Sequence, residues 1–199
     1  MSTRARRLAP LVAAWLAACS ADAPRALTPG ASAVEDVTAR SSVQRFLPLK
    51  HDTIYSYDVY APDQAAPEQL ILQVERHSAE RANLRSGNVV RRVVFEPEGV
   101  KLVTGGYLLR APLELGANWA GPAGSVRVSD VDQVITVPAG TFSGCIETSE
   151  TAGGGALRRV IVTSYCPDVG IVRFSVQSAE EQQRFELKSF GPRVDIDEL

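Results

Sequence analysis

Apolar and polar residues alternate along most of the chain after residue 52. Residues 53–60 show the pattern most clearly, and a period of two is typical of a strand with one buried face. Similar segments follow at residues 70–75, 89–95, 100–104, 107–109, 125–137, 144–150, 157–165, 171–177 and 184–190. Most of the turns between them are too short to hold a crossover helix, so we expect a largely antiparallel sheet.

These strands predict a mainly β fold with little helix, since only residues 33–39 and 79–84 look helical. The expected architecture is a curved antiparallel sheet, either a half-barrel or an open barrel, and the alternative is a two-sheet β-sandwich. If the sheet forms a cup, alternate apolar side chains would line it. They are Ile54, Leu70, Leu72, Val93, Phe95, Val134, Ile161 and Phe174. The same set describes a filled core, so a ligand-binding cup and a solid scaffold both stay open.

The N-terminus has the three parts of an export signal. Arg4, Arg6 and Arg7 precede an apolar run over residues 8–18, which is too short to cross a bilayer core that takes about 20 residues. The run ends in Leu-Ala-Ala followed by Cys19, the pattern of a bacterial lipobox. It predicts a lipoprotein signal peptide over 1–18 and acylation of Cys19 by diacylglycerol and a palmitate-type chain. The alternative is a general secretory signal in which Cys19 is incidental.

The rest of the chain divides by composition. Residues 19–42 are rich in Ala, Ser, Thr and Pro without apolar periodicity, which predicts a flexible tether. We expect a single β-rich domain over 43–192 and an acidic tail over 193–199. Ser20 stands where an aspartate commonly retains lipoproteins in the inner membrane. We therefore expect a protein of the cell envelope that is anchored by its lipid, and Ser20 favours the outer membrane over the inner membrane.

Charge excludes one class of partner. Without the three arginines of the signal the chain has 18 basic and 23 acidic residues, a formal net charge of −5. A mildly acidic domain has no electrostatic footprint for nucleic acid. The pairs Arg91-Arg92 and Arg158-Arg159 are interpreted as solvated faces of strands.

Two further cysteines, Cys145 and Cys166, form an even pair in an exported protein, which predicts a disulfide between them. They flank the glycines at 153–155, so they lie near opposite ends of one hairpin. A turn centred on Gly154 would pair Cys145 with about Thr163, so a longer loop or a bulge is needed to bring Cys166 alongside. Two buried free thiols and a redox or nucleophilic pair remain as alternatives.

Little in the sequence indicates chemistry. It holds no G-x-S-x-G or S-x-x-K motif and no glycine-rich phosphate loop, and two histidines without a cysteine or carboxylate cluster make no zinc site. We expect no enzyme, cofactor or metal. An envelope hydrolase, a further alternative, would need His51 or His77 in a cleft with a carboxylate such as Asp52 or Glu75.

Three phrases carry a resemblance: residues 112–119 (PLELGANW), residues 137–142 (VPAGTF) with Cys145 just after, and residues 165–172 (YCPDVGIV). Together they resemble a group of uncharacterised bacterial secreted proteins and lipoproteins, over residues 46–190. That group is related in fold to lipoprotein-carrier half-barrels. This sequence departs from the pattern at Cys166, at Asp168, and at His51-Asp52. The resemblance implies a half-barrel fold and brings no catalytic residues.

The expected function is therefore a membrane-anchored, non-catalytic binding or scaffold module of the envelope. The alternative is a carrier of an apolar ligand or lipid. The expected partners are the membrane, through the N-terminal lipid, and an apolar ligand or an envelope protein.

Overall fold

The computed structural model describes residues 42–193. The predicted signal peptide at 1–18, Cys19, the tether up to residue 41, the helical-looking segment 33–39 and residues 194–199 of the acidic tail lie outside the described residues. No helix within 42–193 is long and apolar enough to span a bilayer.

Within residues 42–193, twelve strands form one sheet in which every pair of neighbours is antiparallel. They are β1 Thr53–Tyr60, β2 Glu68–Arg76, β3 Arg81–Ser86, β4 Val89–Glu96, β5 Gly99–Leu102, β6 Tyr107–Arg110, β7 Asn118–Ala120, β8 Ser125–Val137, β9 Gly140–Ala152, β10 Arg159–Cys166, β11 Gly170–Gln177 and β12 Gln182–Pro192. Helical structure within 42–193 is limited to residues 42–46 and a 3-10 turn at Gly155–Leu157.

The strand order is β6-β5-β4-β3-β2-β1-β12-β11-β10-β9-β8-β7. Two meanders, β1 to β6 and β7 to β12, are thus joined by the pairing of β1 with β12. The sheet curls into a nearly closed barrel, which confirms the predicted curved antiparallel sheet over the two-sheet sandwich.

The edge strands β6 and β7 meet through side chains and close backbone approach. The indole Nε1 of Trp119 on β7 donates to the carbonyl of Tyr107 on β6 over 3.0 Å. A Cβ at Gly106, just before β6, would lie 2.2 Å from the carbonyl oxygen of Ala120, so only glycine fits there. Trp119 is 5% exposed, so its ring is buried where the two edge strands meet.

The phase of alternation changes within β8, and this corrects the placement of Val134. Val126 and Val128 face the core at even positions, but the register shifts repeatedly between Val128 and Ile135, with Asp132 at a φ of 56°. After the shifts the odd positions face inward, beginning with Ile135. Val134 is therefore 69% exposed instead of lining the interior.

Strand β1 corrects a second expectation. Tyr55 and Tyr57 point into the core, 4% and 2% exposed, so the alternation places Ile54 on the opposite face. The tyrosines can face inward because their hydroxyl groups find backbone acceptors there.

Residues 79–84 are not helical, because β3 occupies Arg81–Ser86 and pairs with β2 and β4. Ala82 and Leu84 alternate towards the core there. The short β7 was also not predicted.

The structure joins Cys145 on β9 and Cys166 on β10 in a disulfide with a Cα–Cα distance of 4.2 Å. The register pairs Thr163 with Thr148 and Tyr165 with Ile146, so Cys166 falls directly beside Cys145. The connection is a longer loop that contains the 3-10 turn Gly155–Leu157. A longer loop, one of the two arrangements considered for the hairpin, therefore brings the cysteines together.

Candidate functional site

The barrel contains an apolar cavity of about 440 Å³. Strands from both meanders and the segment before β1 line it. The lining residues are Leu47, Leu49, Tyr55, Tyr57, Leu70, Leu72, Leu84, Ser86, Val89, Arg91, Leu102, Leu108, Gly170, Ile171, Phe174 and Phe185. This volume is within the range of about 300–1,000 Å³ that is usual for small-molecule sites.

One wall of the cavity is aromatic. Phe174 on β11 and Phe185 on β12 are cross-strand partners whose rings stack with centroids 4.0 Å apart. Tyr57 on the next strand meets Phe174 edge to face at 5.8 Å. Cross-strand aromatic pairs of this kind stabilise a sheet and fix ring positions. The wall is therefore a preformed, rigid apolar surface.

The rings of Tyr55 and Tyr57 line the cavity, while their hydroxyl groups form hydrogen bonds with the protein backbone. Tyr55 donates to the carbonyl of Val169 at 3.0 Å, and Tyr57 donates to that of Ile171 at 2.9 Å. Burial raises the pKa of Tyr55 to about 12 and raises the pKa of Tyr57 further. Both phenols are therefore neutral across the physiological range and bring no charge to the cavity.

The segment before β1 forms the floor. We call residues 42–52 the N-terminal segment; its Val43, Leu47 and Leu49 are at most 3% exposed, and the latter two reach the cavity. The segment is held by a backbone hydrogen bond from the β10–β11 turn, in which the amide of Asp168 donates to the carbonyl of Arg45 over 2.7 Å. It is also held by β2, whose Arg76 donates to the Pro48 carbonyl at 3.1 Å.

The β10–β11 turn explains one departure from the resembled phrase. Asp168 has a φ of 65°, in the left-handed region that glycine and aspartate tolerate best. Aspartate is therefore accommodated in this turn, whose backbone bonds to the N-terminal segment.

The lining of the cavity includes exposed residues at the β3–β4 hairpin, so the cavity reaches the surface there. Ser86, Val89 and Arg91 line it there, and Val89 is 58% exposed. Arg91 is the only charged side chain among the lining residues within 42–193. We call these three residues the mouth. The arrangement is an apolar pocket with a hydrophobic floor and one cation at its entrance.

The residues proposed from alternation divide into three groups. Leu70, Leu72 and Phe174 line the cavity. Val93 and Phe95 belong to the buried core without reaching the cavity, and Ile161 is half-buried opposite Val176. Ile54 and Val134 have the placements corrected above. Whether any of them touches a ligand stays a prediction.

Several lining residues were missed although the sequence carried a signal for them. Tyr55 and Tyr57 share a strand face at a spacing of two, and their size outweighs that of Ile54 as a core signal. Arg91 lies in phase with Val89 and Val93. Both Arg91 and Arg92 are exposed as expected, but Arg91 also lines the cavity.

A second concavity of about 540 Å³ lies on the other face of β1 and β9 to β12. It is polar and of mixed charge, with Glu147, Arg173 and Arg184 among its lining. The guanidinium of Arg184 covers the Tyr60 ring at 4.9 Å and pairs with Glu186 at 3.2 Å. This groove has no apolar wall comparable to that of the cavity.

The histidines do not gather in a cleft. His51 Nε2 lies 3.2 Å from Asp52, yet both side chains are more than half exposed and neither lines a described cavity. His77 contacts Asn83 at 2.8 Å, while Glu75 is held by Arg85. Across residues 42–193 no three His, Cys, Asp or Glu side chains come together as metal ligands.

No protein-family model matches the chain, and no curated protein matches it in sequence. Solved structures resemble it at low identity. One is a protein described as exported, with a YmcC-like fold, from Bacteroides fragilis (11% identity, TM-score 0.49, covering 73% of this chain and 98% of that one). Another, from Parabacteroides distasonis, is described as a lipoprotein (14% identity, TM-score 0.47, covering 73% of this chain and 98% of that one). A third is a LolA-superfamily protein from Nitrosomonas europaea (11% identity, TM-score 0.33, covering 81% of this chain and 94% of that one). At such identities and TM-scores these likenesses do not assign the chain to a family.

Proposed function

We propose that this protein is a non-catalytic binding module of the bacterial cell envelope that holds an apolar ligand, such as one acyl chain, inside its barrel. The observation that carries the proposal is the apolar cavity of about 440 Å³ that opens at the β3–β4 hairpin. A solid scaffold would have filled this space with side chains, because protein interiors are otherwise closely packed.

The walls are chemically suited to hydrocarbon. Leu70, Leu72 and Phe174 pack on the core but stay only half-buried, so apolar surface is left for a ligand to cover. Each methylene group that leaves water contributes about 0.8 kcal/mol. The tyrosine hydroxyl groups are already bonded to the backbone, so a ligand need not supply polar partners.

The location in the envelope belongs to the same proposal. A lipid on Cys19 would tether the domain to a membrane, and Ser20 favours the outer one. The Cys145–Cys166 disulfide supports an exported protein, because disulfides persist in oxidising compartments. A carrier that passes its ligand on and a receptor that retains it share the same cavity chemistry.

The proposal is tested by displacement of a fluorescent apolar probe, N-phenyl-1-naphthylamine, from the full chain by dodecanol. Leu72→Trp fills the cavity from β2, and Leu70→Trp fills it from the same face of β2, two residues earlier in the strand. Ile71→Trp is the matched control, since Ile71 lies between them on the other face and is 44% exposed.

We expect saturable, one-to-one binding by the wild type and by Ile71→Trp. Binding by both cavity variants is expected to fall at least tenfold while their thermal unfolding stays cooperative. Absence of saturable binding by the wild type would contradict the proposal, and so would equal binding by all three variants.

A further inference from the structure

We infer that Arg91 makes this a site for single-chain amphiphiles with an anionic head group, a carboxylate or a phosphate. The inference rests on the proposed function and adds the chemistry of the ligand's polar end. It follows from where this arginine stands, what it contacts and what surrounds it.

The position of Arg91 is set by strand alternation. Val89, Arg91 and Val93 share one face of β4, and that face turns towards the interior. Val93 is 1% exposed deep in the barrel, whereas Val89 is 58% exposed at the rim. Arg91 lies between them, opposite the cavity residue Leu84. Its side chain therefore stands where the apolar lining ends and solvent begins.

Arg91 is also unengaged. Its side chain makes no hydrogen bond, ion pair or ring contact with any residue in 42–193, while its backbone pairs with Leu84 on β3. The nearby Arg85, by contrast, is bonded to Glu75 at 2.8 Å. A cation at a pocket entrance with no partner of its own can bond to an incoming anion without breaking a bond within the protein.

The surroundings favour an anion over a neutral or cationic head. No carboxylate of the described residues lines the cavity, and the remaining polar groups are the Ser86 hydroxyl and the occupied tyrosine hydroxyls. A ligand whose chain enters the cavity leaves its head at the mouth. A guanidinium there offers paired donors that match both carboxylate and phosphate.

The chain supplies a matched control in the next residue. Arg92 has the same charge but the opposite strand face, it lies opposite Asn83 on β3, and it does not line the cavity. A long-range effect of net charge would be the same for Arg91→Gln and Arg92→Gln. A direct contact with the head group would appear in Arg91→Gln alone.

The test is calorimetric titration of the full chain with dodecanoate, dodecyl phosphate and dodecanol, at about pH 8, where both anions are ionised. We expect the wild type to prefer each anion over the alcohol by about fivefold at low ionic strength, the upper range for an exposed ion pair, and the preference to shrink with salt. Arg91→Gln abolishes the preference, taken as the ratio of anion affinity to dodecanol affinity within the same variant. Arg92→Gln keeps it, and Arg91→Lys keeps part of it.

The two anions separate the sources of the head group. A larger loss for dodecyl phosphate than for dodecanoate in Arg91→Gln assigns a phosphate head, as in a lysophospholipid, and the reverse assigns a free fatty acid. An anion preference that survives in Arg91→Gln, or is lost equally in Arg92→Gln, overturns the inference while the apolar site stands. Failure of the wild type to bind even dodecanol overturns the proposed function itself.

Discussion

Removing one buried hydroxyl group, by Tyr57→Phe, tests how the cavity wall is held together. The Tyr57 hydroxyl donates to the carbonyl of Ile171 at 2.9 Å, and the side chain is 2% exposed. The ring itself packs edge to face on Phe174 and is kept by the substitution. The change therefore isolates a single hydrogen bond between β1 and β11, strands that are not neighbours in the sheet.

The expected cost follows from burial. A typical intramolecular hydrogen bond contributes about 1 kcal/mol net, and a buried carbonyl that loses its donor costs about 1–3 kcal/mol. We expect Tyr57→Phe to lower the free energy of unfolding by about 1–2 kcal/mol. For a domain of this size that corresponds to a decrease in Tm of roughly 2–8 °C.

The assay is urea unfolding followed by circular dichroism, with Tyr60→Phe as the control. Tyr60 is on the same strand but the other face, where its ring is covered by Arg184. We expect Tyr60→Phe to unfold within about 0.5 kcal/mol of the wild type. Equal stability of Tyr57→Phe and wild type would refute the reasoning, as would an equal loss in both variants.

Two other outcomes concern the disulfide and the alkaline limit of stability. Replacing both Cys145 and Cys166 by serine removes a disulfide that joins residues with a sequence separation of 21. We expect the free energy of unfolding to fall by about 3 kcal/mol, which thermal denaturation measures. A Tm unchanged by the double substitution would contradict this expectation. Burial raises the pKa of Tyr55 to about 12, above its usual value of 10, so the folded state holds the proton more tightly. The stabilisation from the protonated Tyr55 is then fully present below about pH 10, and the free energy of unfolding falls by up to about 3 kcal/mol as the pH rises to about 12. Tyr55→Phe removes this part of the pH dependence, which is measured by urea unfolding midpoints at several alkaline pH values. An identical dependence of the midpoint on pH in the wild type and in Tyr55→Phe would argue against this reasoning.

The sequence predicted the class of fold because strand alternation and short turns are local signals. The cysteine pair was local as well, since both residues lie on one hairpin. The longer loop that aligns them could not be distinguished from a bulge, because turn length depends on where the 3-10 turn at Gly155–Leu157 forms.

The phase of a strand was harder to predict. In β8 the left-handed conformation of Asp132 and the register shifts around it change which alternate residues face the core. The residue pattern before Ile135 gives no signal of this change. In β1 an isoleucine was preferred over tyrosines as an inward residue. The structure reverses that choice because acceptors from β11 and its preceding turn, far along the chain, satisfy the phenols.

The existence of the cavity was beyond the sequence. The same apolar residues can fill a barrel or line one, and the difference depends on how far apart opposite walls stand. Closure through Trp119 and Gly106 and the floor made by the N-terminal segment are long-range contacts of this kind. They depend on tertiary packing, which local periodicity does not encode.

The most direct test of the account is a crystal structure of the protein with 12-bromododecanoate, using the anomalous signal of bromine. The account predicts one bromine site inside the barrel, between Phe174 and Leu72, with the carboxylate at Arg91. Bromine found only on the outer surface, with the cavity empty, would contradict it.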